Sequence, residues 1–283
     1  MIAKLALVGA VARLREAGVE EAASDARALL AYAMQIAPDR LALHTGDDLT
    51  KAQEEAFEAA ITAREARQPV AQIIGSRLFW GLRFKVTSDT LDPRPETEVL
   101  VSKALERPFH KVLDLGTGTG CILLSCLKGM PMAQGVGVDL SPKALAVAQE
   151  NAENLGLAHR AKFRESNWFS AVSDRFDLIV SNPPYIAEAE MSGLSREVLE
   201  WEPHLALTPG GDGLEPYRLI ARAAPSRLMA GGRLLLEIGP TQGQAVFGYL
   251  RDQGFINIAV LCDFDGRDRV VYGERPTGEG CNA

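Results

Sequence analysis

From about residue 95 onward, strand-type runs alternate with helix-type runs, and this alternation restricts the fold more than any other feature of the chain. Strands are expected at 111–115, 135–138, 161–164, 176–181, 232–238, 256–261 and 269–272. Helical stretches fall between most of them, including one from 143 to 154 that Ser141 caps and Pro142 opens. A strand, a crossover helix and a next strand in one sheet pair in parallel, so the expected class is α/β with a mainly parallel, doubly wound sheet. The last two strands lie too close for a crossover helix and should pair antiparallel at one end of the sheet. No internal repeat is visible.

Residues 1–70 carry a different pattern. Leu7, Val8, Val11 and Leu14 fit one helical face, and Ala26, Leu29, Leu30 and Ala33 fit a second, with Gly18 between them. Thr50 followed by Gln53 is a capping-box signature for a third helix reaching about Arg67, which Pro69 ends. With no strand signal, 1–70 is expected to be a small helical bundle. Residues 71–92 switch to strand-type residues (Ile73, Ile74, Leu78, Phe79, Trp80, Phe84, Val86) broken by Gly75 and Gly81, as in a β-hairpin linker. The larger domain is then 93–275, and 276–283 is expected to be a flexible tail. The apolar start around Leu5–Ala12 resembles a secretion leader, but it is short and runs into Arg13 and Arg15 as an amphipathic helix. No apolar run approaches the ~20 residues of a membrane span, and a cytoplasmic protein is expected.

The first chemical signal is Val112-Leu113-Asp114-Leu115-Gly116-Thr117-Gly118-Thr119-Gly120, an apolar strand entering a glycine-rich turn before a helix at about Cys121. Doubly wound sheets bind ligands outside the carboxyl ends of their strands, and glycines let a ligand approach bare backbone. The dinucleotide fingerprint G-x-G-x-x-G needs glycine where Cys121 stands, and Asp114 is atypical for it, which disfavours a dehydrogenase. The G-x-G-x-G form after an Asp resembles S-adenosylmethionine-dependent methyltransferases. Asp139 ends the next strand, where a carboxylate can accept both ribose hydroxyls of a nucleoside; the bland alternative is an acid at a helix start. Trp168 follows the third strand and would supply an adenine wall or ordinary packing.

The second signal is Asn182-Pro183-Pro184-Tyr185 after the fourth strand. An amide or exocyclic amine nitrogen is a poor nucleophile because its lone pair is delocalised. The Asn182 side-chain carbonyl and the Pro183 backbone carbonyl can each accept one N–H, fixing that nitrogen with its lone pair toward a methyl donor. The prolines hold the carbonyls rigid, and Tyr185 offers a flat face to a planar group. A negative dipole end facing the nitrogen also favours transfer from a sulfonium. This chemistry suits glutamine and adenine alike.

Over nearly its full length the chain resembles the release-factor glutamine N5-methyltransferase family (the PrmC/HemK type). The residues that carry the resemblance are Pro93 to Glu98 (PRPETE), Asp114 to Gly120, Asp139, Asn182 to Tyr185, Glu202-Pro203 and Gly210 to Leu214. Gln72, Gly75, the stretch Phe79 to Phe84, Glu237-Ile238-Gly239 and Gln242 also fit, as does a helical domain ahead of a hairpin. The resemblance implies a Rossmann-like class I methyltransferase domain and methyl transfer to the glutamine side-chain N5 of the Gly-Gly-Gln motif in class I peptide chain release factors. It implies that Gly116, Thr117, Gly118, Thr119, Gly120, Asp139 and Trp168 bind S-adenosylmethionine. Asn182 would touch cofactor and substrate, Asn182, Pro183, Pro184 and Tyr185 would hold the glutamine, and Asn182, Pro183 and Tyr185 would carry catalysis. The 1–70 domain would recognise the substrate. Arg94, Glu96 and Thr97 would lie near the site, with no role derived. Asp92 departs from the apolar residue common there, which puts local packing in doubt.

Composition narrows the partners. Lys+Arg total 30 against 37 Asp+Glu, a net charge of −7, with no dense basic stripe, which disfavours direct nucleic-acid binding. An adenine N6-methyltransferase acting on DNA or RNA is the alternative enzyme, and a non-catalytic S-adenosylmethionine binder the alternative class. No metal is expected, because His44, His110, His159 and His204 are scattered. The four cysteines lack C-x-x-C spacing, and Cys121 and Cys126 are read as small buried hydrophobes. A monomer is expected.

Overall fold

The computed structural model describes residues 1–277, which form two compact units. The expected tail falls mostly outside the described residues, as does Cys281. Just before it the chain is ordered into the fold: Glu274 closes a strand, and Arg275 exchanges backbone hydrogen bonds with Gly231 and Gly232.

The first unit, 1–76 with 195–201, is helical. Its helices are α1 (Ala3–Glu16), α2 (Ala22–Met34), α3 (Lys51–Glu65) and the short α4 (Val70–Ile74). The capping box forms: the Thr50 hydroxyl accepts from Gln53 N, and the Gln53 side chain accepts from Thr50 N at 3.0 Å. On α2 the expected face is the buried one. On α1 it is not. Ala3, Ala6, Ala10 and Leu14 are buried, while Val8 is exposed. Alanine hardly registers in an apolar pattern, yet its small side chain lets α1 sit close to Ala22 and Ala26 of α2 in one core. Arg64 and Arg67 both reach Glu197 (2.9 Å each), and Gln72 donates to the Trp201 carbonyl (3.0 Å), fixing 195–201 to this unit. This excursion had no sequence signal.

The second unit holds the sheet. The hairpin, β1 (Ser76–Phe79) and β2 (Leu82–Lys85), is shorter than expected, because Ile73 and Ile74 are helical. It is no free linker: Phe79 and Phe84, edge to face at 6.1 Å, are buried in the core of this unit. Then follow α5 (Glu98–Leu105), β3 (Lys111–Leu115), α6 (Cys121–Gly129), β4 (Gln134–Asp139), α7 (Pro142–Asn154), β5 (Ala161–Glu165) and β6 (Phe176–Ser181). After α8 (Arg196–Trp201), which folds with the first unit, come α9 (His204–Leu207), α10 (Glu215–Arg227), β7 (Leu228–Glu237), α11 (Gly243–Asp252), β8 (Ile256–Cys262) and β9 (Asp268–Glu274).

The seven-stranded sheet runs β5-β4-β3-β6-β7-β9-β8, parallel through β7 and antiparallel at β9 and β8, as the alternation requires. One buried cluster lies on each face, one with α5 and α6 and the other with α10 and α11. The central strands are therefore near-continuous apolar runs, as expected of strands covered on both faces. The order reverses between β4 and β6, on the two sides of β3. A crevice opens at such a switch point.

Candidate active site

Leu115 and Ser181 are register partners at the ends of β3 and β6, and the Ser181 hydroxyl donates to the Leu115 carbonyl at 2.7 Å. The next residues are Gly116 and Asn182. Pairing two strands 66 residues apart thus sets the glycine turn beside the Asn-Pro-Pro-Tyr loop. Both open onto one cavity of ≈ 300 Å³, at the small end of the range for ligand pockets.

The turn is built on backbone that glycine adopts easily. Gly116, Gly118 and Gly120 have φ of 68°, 53° and 78°. The Asp139 carboxylate, at the end of β4, accepts from Gly118 N and from Ser141 N, each at 2.9 Å. Asp139 therefore shapes the cradle as well as lining it. Gly116, Thr117, Gly118, Thr119, Asp139 and Trp168 line the cavity. Trp168 has φ of +50° and packs against the α10–α11 core. Gly120 does not line it. A Cβ there would meet Leu124 at 3.2 Å and the Ala148 Cβ at 3.3 Å, so this glycine serves the packing of α6 on α7.

Below the turn, Asp114 is fully buried and accepts the Thr117 hydroxyl at 2.7 Å. Burial pushes its carboxyl up to about 7, partly offset by that bond. Burial likewise pushes the Cys121 thiol to about 12 and the Cys126 thiol higher, so neither is a thiolate nucleophile at neutral pH.

Asn182 and Pro184 line the cavity, while Pro183 is buried and Tyr185 lies behind, packed on the core. Burial, with Glu237 nearby, lifts the Tyr185 hydroxyl to about 12, so it stays protonated. The loop is held from several sides. Asn182 Nδ2 donates to the Thr97 hydroxyl at 3.4 Å. Gln242 Nε2 donates to the Tyr185 carbonyl at 2.9 Å, and the Thr208 hydroxyl donates to the Ile186 carbonyl at 2.6 Å. A Cβ on Gly213 would collide with the Tyr185 carbonyl, which explains the glycine in the Gly210–Leu214 run.

Part of the wall was not legible in the sequence. Asp89 to Pro93, Pro203, Leu205, Ala206, Thr208 and Pro209 belong to it, while Arg94 and Thr97, expected near the site, line it too. Arg94 reaches both oxygens of the buried Glu202 at 2.7 Å. Asp92, expected to matter only for packing, is buried in this wall, and desolvation holds its carboxyl above the usual range. The proline-rich PRP and Glu-Pro segments were visible; their meeting was not. Among the described residues no cluster of three His, Cys, Asp or Glu could hold a metal, and no helix is long and apolar enough to cross a membrane.

The glycine turn, Asp139 and the open space at Gly118, where an added Cβ meets no atom within 4 Å, fit a nucleoside with a polar ribose edge. Comparisons with known proteins agree with this architecture. Residues 87–213 match the methyltransferase small domain, and residues 6–75 match the PrmC N-terminal domain. A release factor glutamine methyltransferase of Cereibacter sphaeroides is 60% identical over 96% of this chain and 98% of its own. One from Rhodospirillum rubrum is 42% identical, covering 93% of this chain and 82% of its own. A solved methyltransferase from Pyrococcus furiosus superposes with a TM-score of 0.57 at 18% identity, over 76% of this chain and 99% of its own, and shares the fold.

Proposed function

The chain belongs to the release factor glutamine methyltransferase family, and from that membership we propose that it moves a methyl group from S-adenosylmethionine to the side-chain N5 of the Gly-Gly-Gln glutamine in class I peptide chain release factors. The observation that carries this proposal is the Leu115–Ser181 register, which sets the glycine turn and the Asn-Pro-Pro-Tyr loop at one cavity.

S-Adenosylmethionine supplies an electrophilic methyl on a sulfonium. Asp139 offers its remaining lone pairs to the ribose hydroxyls, and Gly116 and Gly118 give the ligand bare backbone. Trp168 walls the adenine. Asn182 holds the glutamine amide: with Nδ2 on Thr97, its Oδ1 is the atom left to accept a substrate N–H. The Pro183 carbonyl takes the second N–H, and Tyr185 supports the flat amide. Two fixed acceptors orient the nitrogen and stabilise the positive charge that grows on it. No strong base is required of the chain. The helical unit 1–76 docks the folded release factor, in the cytoplasm, where translation occurs, and the enzyme works as a monomer.

The test is transfer of labelled methyl to a purified release factor, to its Gly-Gly-Gln→Gly-Gly-Ala variant and to duplex DNA. Label on the first alone is expected; label on DNA alone would transfer the reading to adenine. Asn182→Ala should lower turnover by roughly 100-fold, the scale of losing one preorganised polar contact in a transition state, with cofactor affinity little changed. Activity within several-fold of wild type would refute the acceptor role.

A further inference from the structure

Pro183 and Pro184 each lock φ at about −65° and keep the residue before them extended, so Asn182 to Tyr185 forms a short stiff rod. Such a rod aims its carbonyls only as well as its two ends are held. One end is held by β6, where the Ser181 hydroxyl donates to the Leu115 carbonyl at 2.7 Å. At the other end the Tyr185 carbonyl accepts from Gln242 Nε2 at 2.9 Å. The next residue is tied elsewhere: Ile186 N donates to the Leu207 carbonyl of α9 at 3.1 Å, and the Ile186 carbonyl accepts the Thr208 hydroxyl at 2.6 Å. Gln242 follows β7, whose Leu236 is the register partner of Ser181, so its bond refers the far end of the rod back to the sheet.

Gln242 caps the N-terminus of α11, and its own place is fixed several times over. Its backbone N donates to the Gly239 carbonyl at 3.0 Å, and its Oε1 accepts from Gly239 N at 2.9 Å. The Tyr217 hydroxyl, which donates to the Glu237 carbonyl at 2.9 Å, lies 3.3 Å from the same Oε1. A backbone N–H only donates and a backbone carbonyl only accepts. One amide orientation therefore serves both neighbours, with Oε1 on Gly239 and NH2 on Tyr185. Gly239 makes room for it: a Cβ there would stand 3.1 Å from Gln242 Oε1 and 3.4 Å from Tyr185 Cδ2, so amide and ring meet over a bare Cα. Gln242 itself does not line the cavity.

We infer that Gln242 is a positioning residue for methyl transfer: it holds the Tyr185 carbonyl to the end of β7 and so fixes the aim of the Asn182 and Pro183 carbonyls at the substrate nitrogen. This rests on the glutamine methyltransferase reading of the site. Without that hold the rod swings about its β6 end. Turnover falls, while the glycine turn, Asp139 and Trp168 keep their places and cofactor binding with them.

The experiment measures kcat and KM on full-length release factor, S-adenosylmethionine affinity by calorimetry, and thermal melting, for wild type, Gln242→Glu and Gln242→Met. The assay is run at about pH 8, far above the ordinary glutamate pKa of about 4.3, so that the introduced carboxyl is ionised. Gln242→Glu keeps the shape. Its carboxylate still accepts from Gly239 N and suits the start of a helix, but it has no proton for the Tyr185 carbonyl. Melting should therefore stay within about 3 °C of wild type, while kcat falls roughly 10–100-fold, the scale of a misplaced catalytic group. Cofactor affinity should change by no more than about 2-fold, less than the loss of one hydrogen bond. Gln242→Met keeps the length and removes donor and acceptor together, so kcat should fall as far, with lower melting because Gly239 N loses its partner. Near-wild-type kcat in Gln242→Glu would overturn the inference, as would a loss confined to KM or cofactor affinity. A kcat that falls in Gln242→Glu only together with a large drop in melting would mark Gln242 as structural and overturn it too. If Gln242→Met does not fold, Gln242→Glu decides alone. Wild-type enzyme that labels no release factor would refute the function on which the inference rests, a result distinct from labelling by wild type and both variants alike.

Discussion

Replacing Gly120 by alanine should destabilise the fold, whereas the same change at Gly118 should mainly weaken ligand binding. Both residues sit at positive φ, 78° and 53°, where a Cβ costs about 1 kcal/mol. Their surroundings differ. At Gly118 a Cβ meets nothing within 4 Å. At Gly120 it meets Leu124 at 3.2 Å, the Ala148 Cβ at 3.3 Å and the Ala148 Cα at 3.5 Å. Leu124 is fully buried, and Ala148 is on α7, so neither side can yield without moving a helix. Overpacking of this kind adds about 2 kcal/mol. Gly120→Ala should therefore lose roughly 3 kcal/mol, which is about 6–12 °C in Tm for a unit of this size, and Gly118→Ala roughly 1 kcal/mol, about 2–4 °C. Scanning fluorimetry and urea titration measure the stability, and calorimetry with S-adenosylmethionine measures the affinity. A Gly120→Ala protein that melts with wild type, or a larger drop for Gly118→Ala, would refute the division of labour within the turn.

Asp139→Ala removes the acceptor for Gly118 N and Ser141 N together with the proposed ribose contact, so S-adenosylmethionine affinity should fall roughly 10–100-fold, the worth of one charge-assisted hydrogen bond; an affinity within 2-fold by calorimetry would contradict it. Asp114→Asn should change how stability varies with pH. The folded carboxyl is held up to about 7, above its ordinary 3.8. Between these values the native chain keeps a proton that the unfolded chain releases, so stability from this group falls as pH rises and levels off above about 7. The variant should therefore gain on wild type between pH 5 and pH 8 in urea unfolding, and a difference independent of pH would refute the assignment.

Much of the site was legible because its signals are local. A strand running into G-x-G-x-G, an acid closing the next strand and a proline-stiffened Asn all announce themselves within a few residues, and the structure puts Asp139, Asn182 and most of the turn on one cavity. Capping is equally local: Thr50 with Gln53, and Ser141 before Pro142, begin helices where expected. Gly120 shows the limit of a motif, which records that a glycine is needed but not whether a ligand or a helix crowds it. The α1 face shows the limit of periodicity: Ala3, Ala6 and Ala10 are buried for their small size, which an apolar count weights little.

The sequence by itself determined the strand–helix alternation, the antiparallel end of the sheet and which residue types stand at the strand ends, because each follows from local pattern, chain length between strands and burial. Only the tertiary structure decided the strand order β5-β4-β3-β6-β7-β9-β8, and with it the approach of Thr97, Gly116 and Asn182. Those three lie on a turn and two strand ends separated by tens of residues. Their meeting depends on which strands pair, and the free energy of that pairing is set by contacts between segments that no local pattern encodes.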